Sequence, residues 1–215
     1  MKVGKLKTMK QLKQKELDLL IDNHNKYIEA LQNDESAGKK LILDEVDFSN
    51  NDLSKLNFVD VYITSSNFKN AILENVNLGG AKFYECTFSN MTFRNVNFGK
   101  TVLDFSLLTD STFDNCSFTK INSNETYFQD LNFNNCTMDD VFSNSKTSHI
   151  QFENCIFNGI EFWECIISNI TFIRSDFHTD MISKVNKGTL DEPIIVDGKE
   201  AISIFKSNSS GYLEV

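Results

Sequence analysis

Every fifth residue from Leu43 onward is large and apolar. The series reads Leu43, Phe48, Leu53, Phe58, Ile63, Phe68, Leu73, Leu78, Phe83, Phe88, Phe93, Phe98, Leu103, Leu108, Phe113 and Phe118, and then, past Ser123, Phe128, Phe133 and Met138. It resumes one residue out of step at Phe152, Phe157, Phe162, Ile167, Phe172 and Phe177, so that sixteen of the nineteen phenylalanines hold one position of a five-residue unit. Two residues before these centres runs a smaller series, with Val46, Ala71, Val76, Ala81, Cys86, Val96, Thr101, Ser111, Cys116, Cys136, Cys155, Cys165 and Ser175. A period of five fits neither the 3.6 of a helix nor the plain alternation of a long strand. It fits three extended residues, the first and third pointing the same way, followed by a corner. A chain built so must coil, with both apolar series inside.

Units such as Val76-Asn77-Leu78-Gly79-Gly80 and Val96-Asn97-Phe98-Gly99-Lys100 carry a small residue, Asn, Leu or Phe, and two free positions, and in this the chain resembles the pentapeptide-repeat family. About 28 such units cover roughly two-thirds of the sequence. The resemblance implies an all-β solenoid: a right-handed quadrilateral parallel β-helix of about seven coils, stacked about 4.8 Å apart into a rod on the order of 34 Å long. It also implies an N-terminal α-helical cap and a small C-terminal cap, which leave 1–40 as capping helix and loop, 41–179 as the repeat and 180–215 as C-terminal cap and tail.

The flanks have their own signals. From about Thr8 to Gln32 the spacing of Leu17, Leu20, Ile21, His24, Ile28 and Leu31 predicts an amphipathic helix, best used as a lid over the first coil. His24 on its apolar face reads as packing, not as a ligand, and Asp34 to Lys40 reads as a polar loop. The stretch Asp139 to His149 loses the core residue at two successive centres and reads as a corner with one residue missing, in preference to a projecting loop. Beyond Thr179 the period stops; Pro193, Ile194-Ile195-Val196, Gly198 and a short helix ending near Phe205 suggest a cap, with Ser207 to Val215 frayed. No apolar run reaches membrane-spanning length, and the lysines of Met1 to Lys10 precede no signal-peptide core, so the chain reads as cytoplasmic with no membrane contact.

If four units make a turn, residues twenty apart stack, and the surface can be mapped in advance. The side that begins at Leu41 carries Asp44, Glu45, Glu85, Asp104, Glu125, Glu161 and Glu164 against Lys82 alone, a net of −6 within a formal chain charge of −9. Tyr62, Tyr84, Phe105 and Trp163 are expected to point outward on the same side. Aromatic rings among carboxylates have the composition of a docking surface, although a merely solvated side would look similar.

Catalytic signals are missing. The five cysteines all occupy the small inward position, with no CxxC or His-rich spacing that would hold a metal. The histidines are scattered, no Gly-rich phosphate loop occurs, and carboxylates on a convex rod have no pocket to raise a pKa. The expectation is a binding protein, not an enzyme, without cofactor or metal. The family resemblance implies a DNA mimic that binds and inhibits or protects DNA gyrase or topoisomerase IV, without binding nucleic acid directly, and a C-terminal homodimer contact. The mimicry would be partial, since a duplex of about 34 Å carries on the order of 20 negative charges. The alternative is a general interaction scaffold for a host-defence or regulatory partner unrelated to DNA.

Overall fold

The computed structural model describes residues 9–211 other than 55, 140, 160 and 161. Its fold is a parallel β-solenoid of about seven turns with two helices, one of them near the N-terminus. Short strands pair in register with residues twenty further on, as in Ile42 with Tyr62 and Tyr62 with Lys82, or Ser117 with Thr137. Each turn therefore has four sides of one unit each. Side 1 starts at Leu41, side 2 at Val46, side 3 at Asn51 and side 4 at Leu56.

The five positions have distinct physical jobs. The large centre and the small residue before it point inward, and nearly all are buried. Down the axis the rings stack in parallel planes, with centroids 4.6 Å apart from Phe93 to Phe113 and from Phe113 to Phe133, while rings on adjoining sides meet edge to face, as Phe98 does with Phe113 at 5.9 Å. These are the two arrangements that the ring quadrupole favours. Asn or Asp between the inward positions accepts from the backbone N–H two residues on, as Asn77 does from Gly79 at 2.9 Å and Asn97 from Gly99 at 2.8 Å. The corner residue adopts positive φ, from Glu45 at 55° to Arg174 at 48°. Asn tolerates that region best among non-glycine residues. Its amides join successive coils, Asn70 donating to Asn50 and Asn90 to Asn70.

The irregular patch is one unit of four residues. Tyr127 pairs with Lys146, nineteen residues on, and the full spacing returns as Lys146 pairs with Ile166. The two centres expected to be lost are not lost: Phe142 and Thr147 are buried in them, because the shift has already occurred before Phe142. Ser123, the break in the apolar series, lies beneath the short unit. Its hydroxyl donates to Val141 O at 2.9 Å and accepts from Ser143 N–H at 3.2 Å. A polar core residue thus replaces backbone bonds that the missing residue would have made.

Both ends are closed. Helix α1, Gln14–Gln32, starts later than the sequence suggests, because Lys10–Gln11 is a strand beside Val46–Asp47. Leu17, Ile21, His24 and Ala30 are buried on it; Leu31 is exposed, its expected place taken by Ala30. His24 Nδ1 accepts from Leu41 N–H at 3.2 Å and Nε2–H donates to Val59 O at 2.7 Å, so the ring is neutral and ties α1 to the first coil. At the other end pairing continues past Thr179: Ile182–Asn186 lies along Phe162–Ile173 with irregular register, and Ile195–Asp197 pairs antiparallel to it. Helix α2, Gly198–Ser207, drives Phe205 against Phe162, Phe172 and Phe177. The tail expected to fray instead adds Ser209–Ser210 beside Ile170 and Thr171. No helix among the described residues is long and apolar enough to cross a membrane.

Candidate functional site

Side 1 brings most of the expected residues together. Glu45, Glu85, Phe105, Glu125 and Glu164 share one column of corners, all at positive φ. Backbone bonds join its levels, Glu85 N–H donating to Asp104 O at 3.1 Å and Phe105 N–H to Asn124 O at 2.9 Å. Asp44, Tyr84, Asp104 and Trp163 stand one residue before these corners, and Tyr62 just before a centre. Glu161 lies outside the described residues, as do residues 1–8 and 212–215.

Several of these groups are already engaged. Asp44 accepts from the Thr64 hydroxyl, and Glu85 from the Ser65 hydroxyl at 3.2 Å. Asp104 is half-buried and accepts from Asn124 N–H at 3.0 Å. Burial pushes its carboxyl above the usual range, the Asn124 bond opposes this, and Glu125 adds to the rise. Burial likewise raises the Tyr84 phenol, reinforced by Asp104 and Tyr62, whose ring lies 5.6 Å away. Trp163 is 39% exposed, but Lys184 of the returning strand sits 4.7 Å from its ring centroid and 3.4 Å from Glu164. That cation falls on the side mapped as acidic, and the sequence spacing did not foresee it, because Lys184 lies beyond the repeat.

The charge is therefore uneven across side 1. Its leading corner, shared with side 4, holds Asp60, Lys100 and Lys120, while its trailing corner, shared with side 2, holds the glutamates. Side 2 then ends in a corner with Asp110, Asp130 and His149, which stands 3.7 Å from Asp130. The acidic surface is a ridge between sides 1 and 2, not a flat face. Sequence reasoning missed Leu107 and Tyr127, which are exposed on side 2 beside that ridge. Their signal was available: both are large residues at a position where the unit usually places something polar.

The five cysteines are free and buried, and those of one column donate weakly to carbonyls, Cys116 Sγ to Asp114 O at 3.5 Å and Cys155 Sγ to Phe133 O at 3.4 Å. Burial pushes the Cys86 thiol up to about 12 and that of Cys165 up to about 11. Thiols held so firmly protonated are poor nucleophiles.

A sequence profile described as "Pentapeptide repeat region" matches residues 66–142 and 106–179, and one described as "Pentapeptide repeats (8 copies)" matches 42–80. No curated protein matches this chain. Among solved structures, full-length QnrB1, described as a plasmid-mediated fluoroquinolone resistance protein, is 12% identical over 79% of this chain and 98% of its own, with a TM-score of 0.32. HetL, a pentapeptide repeat protein involved in heterocyst differentiation regulation from the cyanobacterium Nostoc sp. strain PCC 7120, is 11% identical over 71% and 79%, with a TM-score of 0.20.

Proposed function

This chain belongs to the pentapeptide-repeat family, and from that premise we propose that it is a non-enzymatic cytoplasmic binding protein whose acidic ridge stands in for duplex DNA. Its target is a DNA-handling enzyme such as DNA gyrase or topoisomerase IV, which it inhibits or protects. The observation that carries this reading is the corner column of Glu45, Glu85, Glu125 and Glu164. The solenoid sets these carboxylates two coils apart along its length, with Ser65, Phe105 and Asn144 at the corners between them, a sparser version of the repeated charge of a phosphate backbone. With fewer charges than a duplex of that length, the ridge speeds and orients docking onto a basic groove, and the neighbouring rings supply contact energy.

The test is a gyrase pull-down and supercoiling assay with linear duplex as competitor. Binding should weaken steeply with salt, DNA should displace the protein, and Glu85→Lys, Glu125→Lys and Glu164→Lys together should abolish the effect while the folded circular dichroism signal persists. Equal activity of that triple variant, or indifference to DNA, overturns the reading. A general interaction scaffold is the second reading, favoured by the exposed apolar residues beside the ridge, which nothing in a nucleic acid backbone resembles.

A further inference from the structure

Eighteen of the nineteen phenylalanines are buried, and Phe105 is 49% exposed. It is also the one apolar side chain at a positive-φ corner among the described residues, with φ of 60°. That conformation disfavours any bulky side chain, and at this level of exposure core packing offsets little of the strain. Strain kept where it does not serve the fold points to use elsewhere. Leu107, two residues on and 38% exposed, is the direct lateral partner of Tyr127, 45% exposed, in the next coil. Phe105 stands at the corner between sides 1 and 2 and the Leu107–Tyr127 pair lies just past it on side 2, so the three fall along one edge of the solenoid.

The surroundings of these three residues specify what covers them. Glu85 and Glu125 stand directly below and above Phe105 in its column, and Asp110 and Asp130 close the far corner of side 2. One cation, Lys146, lies 5.9 Å from the Tyr127 ring centroid and marks one end. We propose that Phe105, Leu107 and Tyr127 are the anchor for a protein partner whose surface presents an apolar pocket rimmed by Lys and Arg. Charge complementarity selects this occupant. A nucleic acid would meet like charge, and a second copy in a two-fold contact would set these carboxylates against themselves. An apolar centre ringed by polar groups is the usual anatomy of a binding hot spot. The inference rests on the proposed function in taking the acidic side as the docking side, and assigns the contact energy to Phe105, Leu107 and Tyr127.

The test uses a fluorescein-labelled amphipathic peptide of Leu and Lys, with a Leu and Glu peptide as control, and reads anisotropy and thermal melting. Wild type should bind the basic peptide and not the acidic one. Phe105→Asn keeps every charge and supplies the residue that corners prefer. It should weaken binding at least tenfold while the melting temperature rises by about 2–4 °C. Leu107→Thr with Tyr127→Thr should weaken binding similarly. Failure of wild type to bind the basic peptide, binding by Phe105→Asn within twofold of wild type, or a fall in its melting temperature overturns the proposal. No topoisomerase enters this assay, so a protein inert toward gyrase leaves the anchor standing, and a binding-competent Phe105→Asn removes the anchor whatever gyrase does.

Discussion

Ser123 and His24 are the two buried polar residues whose surroundings make the sharpest claims. Ser123 spans the gap under the four-residue unit with one donated and one accepted bond. Ser123→Ala strands Val141 O and Ser143 N–H inside the core, and should cost about 1–3 kcal/mol in urea unfolding. The same substitution at half-buried Ser168, which spans no such gap, should cost much less. His24 is fully buried, and burial lowers its pKa, with Lys40 adding to the fall and the Val59 bond and Asp60 opposing it. A base whose folded pKa is depressed contributes stability above its unfolded value, near 6.5, and loses it as pH falls toward the folded value. Protonation also removes the acceptor that Leu41 N–H uses. Wild type should therefore lose urea stability between pH 7 and pH 5, and His24→Gln, weaker at pH 7, should lose less over the same window.

The elements at the two ends do work that the repeat cannot do for itself. A stack of coils leaves an apolar cross-section and unpaired strand edges at each end. Helix α1 covers one with Leu17 and Ile21, and α2 covers the other with Ala201 and Phe205. Phe205 touches three rings of the last turn, so Phe205→Ala should cost about 3–5 kcal/mol. Hydrogen exchange should localise the damage: amides of 162–177 should lose protection first, while those of 61–98 keep theirs. Helix α1 was legible from its apolar spacing, its end at Gln32 included but not its start, and α2 only as a short helix ending near Phe205. The Lys10–Gln11 strand and the pairing of Ser209–Ser210 are set by edges that a local pattern does not display.

At the scale of the molecule, each coil touches only its neighbours, and stability is a sum over interfaces. Phe118 lies in mid-rod, stacked on Phe98 at 4.6 Å and edge-on to Phe113 and Phe133 at 5.5 Å. Phe118→Ala should cost about 3–5 kcal/mol by opening a cavity between coils, and should broaden the melting transition as the two halves of the rod uncouple. Wild-type cooperativity retained in a differential scan of that variant would contradict the additive picture.

The five-residue spacing by itself determined the coil, the core columns, the corners and the lateral stacking of residues twenty apart, because one unit turning a quarter circle is a local rule that repetition multiplies. What only the tertiary structure decided is non-local. Where a shortened unit absorbs its missing residue, that Lys184 returns over Trp163, and that the carboxylates gather on a ridge opposed by Lys100 and Lys120 all depend on how distant segments close against one another. Phe105 shows the division most plainly. Its number in the series places it at an outward corner, as the spacing predicts, but only the packed rod shows that Phe142 and Phe205, which stand outside the series, join the core.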